Sequence, residues 1–172
     1  MKGPILKCME ELVTSRFDPT TWAESLKKAG LSEHRMFSTM EDVDDAQVVV
    51  LMNAISESTS LTMDAFMDAF GTYWSTVYAP GIYKPFFDRA KTAREFLLAL
   101  DEIHTVMTKA MKSARPPHFQ YEWKDEKHLV MHYKSHRGLV ALMPGLVRGL
   151  GKYYKENLKV RTVGDSVHIA FE

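Results

Sequence analysis

The chain has 172 residues, 45% hydrophobic and 11% aromatic, which is enough for a buried core and suits one domain over residues 1–172. Its 22 basic and 22 acidic residues balance, which leaves no electrostatic case for nucleic acid or an anionic membrane. A single cysteine, Cys8, excludes an internal disulfide, Glu10 and Glu11 break the N-terminal apolar pattern that a signal peptide needs, and the longest apolar runs fall far short of the ~20 residues of a membrane span, so the sequence predicts a soluble cytoplasmic protein.

The first two thirds read as helix. Ile5, Met9, Leu12 and Val13 keep helical spacing in the first segment. Asp18 and Pro19 open a second that carries Trp22 and Leu26 and stops at Gly30. Asp44 or Asp45 can cap a third through Val48, Leu51, Met52 and Ile55. Thr62 can cap a fourth, with Phe66, Phe70, Tyr73, Trp74 and Val77 on one stripe. Pro80, Gly81 and Pro85 mark a loop. A long helix is then predicted from about Thr92 to Ser113, with Leu97, Leu100, His104, Met107 and Met111 on its apolar face, ended by Pro116.

The last third changes period. Phe119, Tyr121 and Trp123 alternate, residues 124–127 turn, and Leu129, Met131 and Tyr133 alternate again, which is a hairpin. A helix follows with Leu139, Leu142, Met143, Leu146, Val147 and Leu150, where Pro144 is tolerated only in the first turn or at a kink. A second hairpin pairs Leu158, Val160 and Thr162 with Val167, Ile169 and Phe171 around Gly164-Asp165. The predicted class is α+β: a helical N-terminal part, then a four-stranded antiparallel sheet with one helix between the two hairpins.

Two features carry chemistry. His104 presents an imidazole from an apolar helix face, a suitable iron ligand, although a histidine so placed is also an ordinary core residue. If the first hairpin's second strand continues through Tyr133-Lys134-Ser135-His136-Arg137, then Tyr133, Ser135 and Arg137 share a face and offer two hydroxyls and a guanidinium fork to a pair of carboxylates. Alone, that segment reads equally as a polar strand edge. A ligand with an iron centre and two carboxylates is haem, and the absence of C-x-x-C-H predicts non-covalent attachment.

The Y-x-S-x-R segment after a helical histidine, the opening Met1-Lys2-Gly3, the Asp101-Glu102-Ile103-His104 stretch and the Pro116-Pro117 pair resemble the H-NOX family, the haem nitric oxide/oxygen binding domains, over nearly the whole chain. The resemblance implies haem b with ferrous iron held by His104, propionates held by Tyr133, Ser135 and Arg137, and a ring of Pro117 pressed against the macrocycle. It places Ile5, Met9, Trp74, Tyr78 and Leu142 in the distal pocket. Oxygen-binding members carry a tyrosine where this chain has Leu142. A hydrogen bond to a charged group is worth about 1.5–3 kcal/mol, and leucine cannot donate one to bound O2. The implied function is a nitric oxide sensor (CO would also bind) that excludes O2 and signals by weakening the iron–His104 bond. An O2 sensor remains open if Tyr78 or Trp74 donates, as does a haem-free interaction module on the same fold. The distal set holds no histidine or carboxylate to act as an acid or base, so no enzyme is implied.

The chain ends at Glu172 after the last strand, without a kinase, cyclase or methyl-accepting segment. By resemblance to stand-alone bacterial members it would signal in trans to a histidine kinase, a cyclic-di-GMP enzyme or a chemotaxis receptor. Some relatives bind zinc near the C-terminus, but there is no cysteine there. His128, His132 and His136 are too far apart on a straight strand, where four residues span about 13 Å, to share one ion. Gly145, Gly149 and Gly151-Lys152 miss the phosphate-loop spacing and read as close-packing positions. Cys8 reads as a buried apolar residue.

Overall fold

Four helices account for most of the first of two units, Met1–Phe70, in the computed structural model, which describes residues 2–109 and 114–172. Helix α1 spans Gly3–Arg16, α2 Pro19–Lys28, α3 Asp45–Thr59 and α4 Met63–Tyr73, the last crossing into the second unit. The sequence signals for their starts hold at atomic level. The Asp18 carboxylate accepts from Thr21 N–H at 2.9 Å, that of Asp44 from Ala46 N–H at 2.7 Å, and the Thr62 hydroxyl from Ala65 N–H at 3.2 Å. The apolar stripes of α1–α3 are inward, with Leu6, Met9, Leu26, Leu51 and Ile55 fully buried. Cys8 lies among them, and burial pushes its thiol well above the usual range.

The second unit, Gly71–Glu172, opens with a π-helical turn over Trp74–Tyr78. That turn corrects the expected stripe. One extra residue per turn advances the phase, so Tyr78 takes the inward place expected for Val77, which is 51% exposed. The expected loop at Pro80, Gly81 and Pro85 is instead two short helices, α5 (Ala79–Ile82) and α6 (Lys84–Arg89). Each carries its proline in the first turn, where a missing N–H removes no helical bond.

The expected long helix is two. Helix α7 (Ala93–Leu98), capped by Thr92, and α8 (Leu100–Thr108) meet at Ala99, whose ψ of −3° departs from the regular α-helical value. The Tyr121 hydroxyl donates to the Leu97 carbonyl at 2.7 Å, claiming an acceptor that a continuous helix would give to Asp101 N–H. Met111 and Ser113 lie outside the described residues.

Strands β1 (His118–Asp125), β2 (His128–Lys134), β3 (Leu158–Val163) and β4 (Ser166–Phe171) form an antiparallel sheet in the order β1-β2-β4-β3. Leu129, Met131, Tyr133, Val167, Ile169 and Phe171 face a core shared with α9 (Met143–Tyr154). A 3-10 turn over Val140–Leu142 precedes α9, and Pro144 sits in its first turn as the sequence requires. Helix α9 crosses the π turn closely. A Cβ on Gly71 would lie 2.5 Å from the Leu146 nitrogen, and one on Gly149 2.7 Å from the Ser75 Cβ.

Candidate functional site

His104 stands in the second turn of α8, next to the buried Ile103. Its ring centroid is 6.1 Å from that of Phe119 on β1, which is 6.0 Å from that of Tyr133 on β2. The Nδ1 atom is buried with no hydrogen-bond partner. Burial holds the imidazole pKa below its ordinary value; the nearby Pro117 carbonyl and Asp101 carboxylate oppose that shift without cancelling it. The ring is therefore kept neutral and keeps a lone pair available, as an axial metal ligand requires.

The clamp segment differs from expectation in its backbone. Strand β2 ends at Lys134, and Ser135, His136 and Arg137 form a turn rather than a strand continuation. Strand alternation therefore cannot put Tyr133, Ser135 and Arg137 on one face. Turn bonding gathers two of them instead: Arg137 N–H donates to the Ser135 hydroxyl at 3.3 Å. The Arg137 guanidinium donates to the Arg115 carbonyl at 2.6 Å, tying this turn to the residue before Pro116-Pro117. Tyr133 is buried on the core face, its N–H donating to the Asp165 carbonyl at 2.9 Å. Ser135 and Arg137 are half-buried.

The residues assigned to the distal side fall on three elements. Trp74 and Tyr78 share the π turn, ring centroids 5.4 Å apart, with Tyr78 buried and Trp74 also 6.3 Å from Tyr83. Leu142 ends the 3-10 turn, half-buried, and its carbonyl lies 2.8 Å from where a Gly71 Cβ would be, which puts that backbone beside the last turn of α4. Ile5 and Met9 are on α1 in the first unit, Ile5 half-buried and Met9 buried.

Two positions were given no role by the sequence reading. Asp101, one turn before His104, accepts from Phe119 N–H at 3.1 Å and so pins α8 to the start of β1. Its i−3 spacing from His104 was the available signal. The Arg115 carbonyl, as a backbone acceptor, leaves no sequence signal.

His128 and His132 are engaged separately. His128 Nδ1 meets Asp125 at 2.8 Å, while His132 Nδ1 meets the Ser166 hydroxyl at 2.8 Å and its Nε2 meets Glu122 at 3.4 Å.

A neutral imidazole on α8 with a buried unpaired nitrogen, and a hydroxyl and a guanidinium in the segment after β2, are residue types that fit a haem with its iron and its two propionates. The α+β fold is that of a class of haem-binding sensor domains, and the sequence profile described as Haem-NO-binding matches residues 2–162. The chain belongs to that family, the H-NOX domains, which bind haem and gaseous ligands.

Soluble guanylate cyclase gcy-37 of Caenorhabditis elegans is 30% identical over 145 residues, covering 82% of this chain and 20% of that relative. The chain thus spans 20% of the length of the curated relative it matches. An oxygen-binding H-NOX domain related to soluble guanylate cyclases, in its oxygen complex, matches with a TM-score of 0.85 at 25% identity, covering 100% of this chain and 95% of that one. A Cs H-NOX variant carrying 4-cyano-L-phenylalanine matches at 0.90, with 25% identity over 100% of this chain and 97% of that one. An isoleucine-to-phenylalanine variant of the T. tengcongensis H-NOX matches at 0.87, with 25% identity over 100% and 98%. Among the described residues no helix is long and apolar enough to cross a membrane.

Proposed function

We propose that this chain is a cytoplasmic haem-based nitric oxide sensor that excludes O2, is not itself an enzyme, and signals in trans. The observation that carries the reading is Leu142, an aliphatic residue whose carbonyl lies beside Gly71 on α4, at the position where, by the resemblance, oxygen-binding members hold a tyrosine. Bound O2 carries partial negative charge and gains from a donor; bound NO is less polar and needs none. The missing hydrogen bond, about 1.5–3 kcal/mol, costs O2 roughly ten- to a hundredfold in affinity.

Haem b with ferrous iron, when bound, would supply the metal to which His104 and the gas attach. Every other part belongs to the chain. His104 supplies the ligand from α8, Arg137, Ser135 and Tyr133 supply donors to the propionates, and Pro117 supplies the ring against the macrocycle. Release of His104 would free α8 to move about Ala99, and Asp101 would carry that movement to β1 through Phe119 N–H. Such an element with two positions, biased by a ligand, is what signalling needs. The receiving partner is a histidine kinase or a cyclic-di-GMP enzyme, as for stand-alone bacterial relatives.

A second reading, an O2 sensor, draws on Trp74 and Tyr78, whose indole N–H and phenol lie on one π turn with rings 5.4 Å apart. Visible absorption of the reduced protein, anaerobic, in air and with NO, separates the two. An unchanged ferrous spectrum in air and a five-coordinate spectrum with NO are expected. A stable oxy spectrum in air would establish the second reading, and a purified protein with no Soret band that takes up no added haemin would sink both.

A further inference from the structure

Strand β1 holds the run of α7 and α8 on both sides of its break. Before Ala99, the Leu97 carbonyl accepts from the Tyr121 hydroxyl at 2.7 Å; after it, the Asp101 carboxylate accepts from Phe119 N–H at 3.1 Å. Phe119 and Tyr121 stand two apart on β1, a rise of about 7 Å. Leu97 and Asp101 stand four apart, which a helix covers in about 6 Å. The strand is thus matched to one helical turn, and that turn is the one left open, since α7 ends at Leu98 and α8 begins at Leu100.

The two sides of the break are held unequally. On the α7 side, Ala93 N–H donates to the Glu156 carboxylate at 3.2 Å. The Arg94 guanidinium donates to the Glu126 carbonyl at 2.6 Å and lies 4.8 Å from the ring centroid of Trp123 and 4.7 Å from that of Phe171. Ala93, Phe96 and Leu97 are buried, and the Phe96 ring centroid is 4.5 Å from that of Phe87. On the other side, α8 buries Ile103 alone among the described residues, and its pair with α6, Glu102 to Arg89, is exposed and weakly held.

Tyr121 is half-buried. Burial, and after it the nearby Asp101 carboxylate, push its phenol well above the usual range, so it stays protonated and remains a donor. We propose that Tyr121 is a positioning residue that sets where the moving segment ends. Its hydroxyl holds the last turn of α7 on the sheet and keeps the Leu97 carbonyl from Asp101 N–H, so that α8 pivots at Ala99 while α7 stays in place. The proposal rests on the reading of His104 as the ligand whose release frees α8. Without the hydroxyl, the Leu97 carbonyl returns to Asp101 N–H, the two helices join, and a displacement that starts at His104 runs back through α7.

The test is amide hydrogen exchange of the reduced holoprotein, read residue by residue by mass spectrometry with electron-transfer fragmentation. Wild type and Tyr121→Phe are compared without gas and with NO. The variant keeps the ring, and a retained haem spectrum with cooperative urea unfolding would show that it folds. Without gas, the Asp101 amide should exchange about tenfold more slowly in Tyr121→Phe, because it regains a helical acceptor. With NO, wild-type protection should fall over Leu100–Thr108 and hold over Ala93–Leu98, whereas in the variant the fall should reach Ala93–Leu98. Equal Asp101 exchange in the two proteins without gas overturns the proposal. So does a fall that runs through α7 in the wild type, or one that still stops at Ala99 in the variant. If NO leaves α8 unchanged in both proteins, the reading of His104 release fails, and the comparison without gas alone decides the role of Tyr121.

Discussion

At the scale of single residues, His104 Nδ1 poses the sharpest energetic question. A buried nitrogen without a partner costs about 1–3 kcal/mol. The proposed ligation would give the ring a partner that offsets this cost. His104→Gly should lose axial ligation, with recovery of a histidine-like spectrum on adding imidazole; retention of the wild-type spectrum without imidazole would refute the assignment. Arg137 is the clamp residue with a fixed direction, since its guanidinium already reaches the Arg115 carbonyl. Arg137→Ala should speed haem transfer to apomyoglobin about tenfold or more, one charge-assisted bond being worth about 1.5–3 kcal/mol. Ligation itself should survive, because the iron bond and the apolar contacts remain. Leu142→Tyr should confer measurable O2 affinity on the ferrous protein in air. If that variant still rejects O2, Leu142 does not set the selectivity.

At the scale of elements, the α9 crossing makes a stability prediction. A methyl at Gly149 meets the Ser75 Cβ at 2.7 Å and the Thr72 carbonyl at 3.0 Å, and the backbone on one side cannot yield cheaply. Gly149→Ala should cost about 1–3 kcal/mol in urea unfolding, the range for overpacking a core. The same scale shows where the sequence was legible. Caps at Asp18, Asp44 and Thr62, and the alternation at Leu129, Met131 and Tyr133, are local signals, and each gave its element. The break at Ala99 was not legible. It depends on Tyr121, distant in sequence, capturing a backbone carbonyl. The π turn likewise depends on how α4 continues into a crossing with α9, which no periodicity within α4 encodes. For the candidate site, the side-chain types were readable, whereas the turn that gathers Ser135 and Arg137 replaces a strand that alternation alone would have continued.

At the scale of the whole molecule, the balance of 22 basic and 22 acidic residues leaves recognition to local features rather than to net charge. The first unit is closed on itself at its start. The Gly3 N–H donates to the Glu41 carbonyl at 2.9 Å, and a Cβ at Gly3 would fall 1.8 Å from the Ser38 carbonyl oxygen. Lys2 bridges to Asp42 beside it. The helix that bears His104 contrasts with this. Among the described residues α8 buries Ile103 alone, whereas α9 buries six positions. In terms of local unfolding, α8 is a shallow cooperative unit whose opening free energy is small compared with that of the sheet and α9. The proposed iron bond would then be its principal anchor. Amide hydrogen exchange in α8 should be fast in the apoprotein, slow once haem is bound, and fast again with NO, while α9 stays protected throughout. The gas signal would be carried as the stability of a single helix, set by whether one coordinate bond holds it closed.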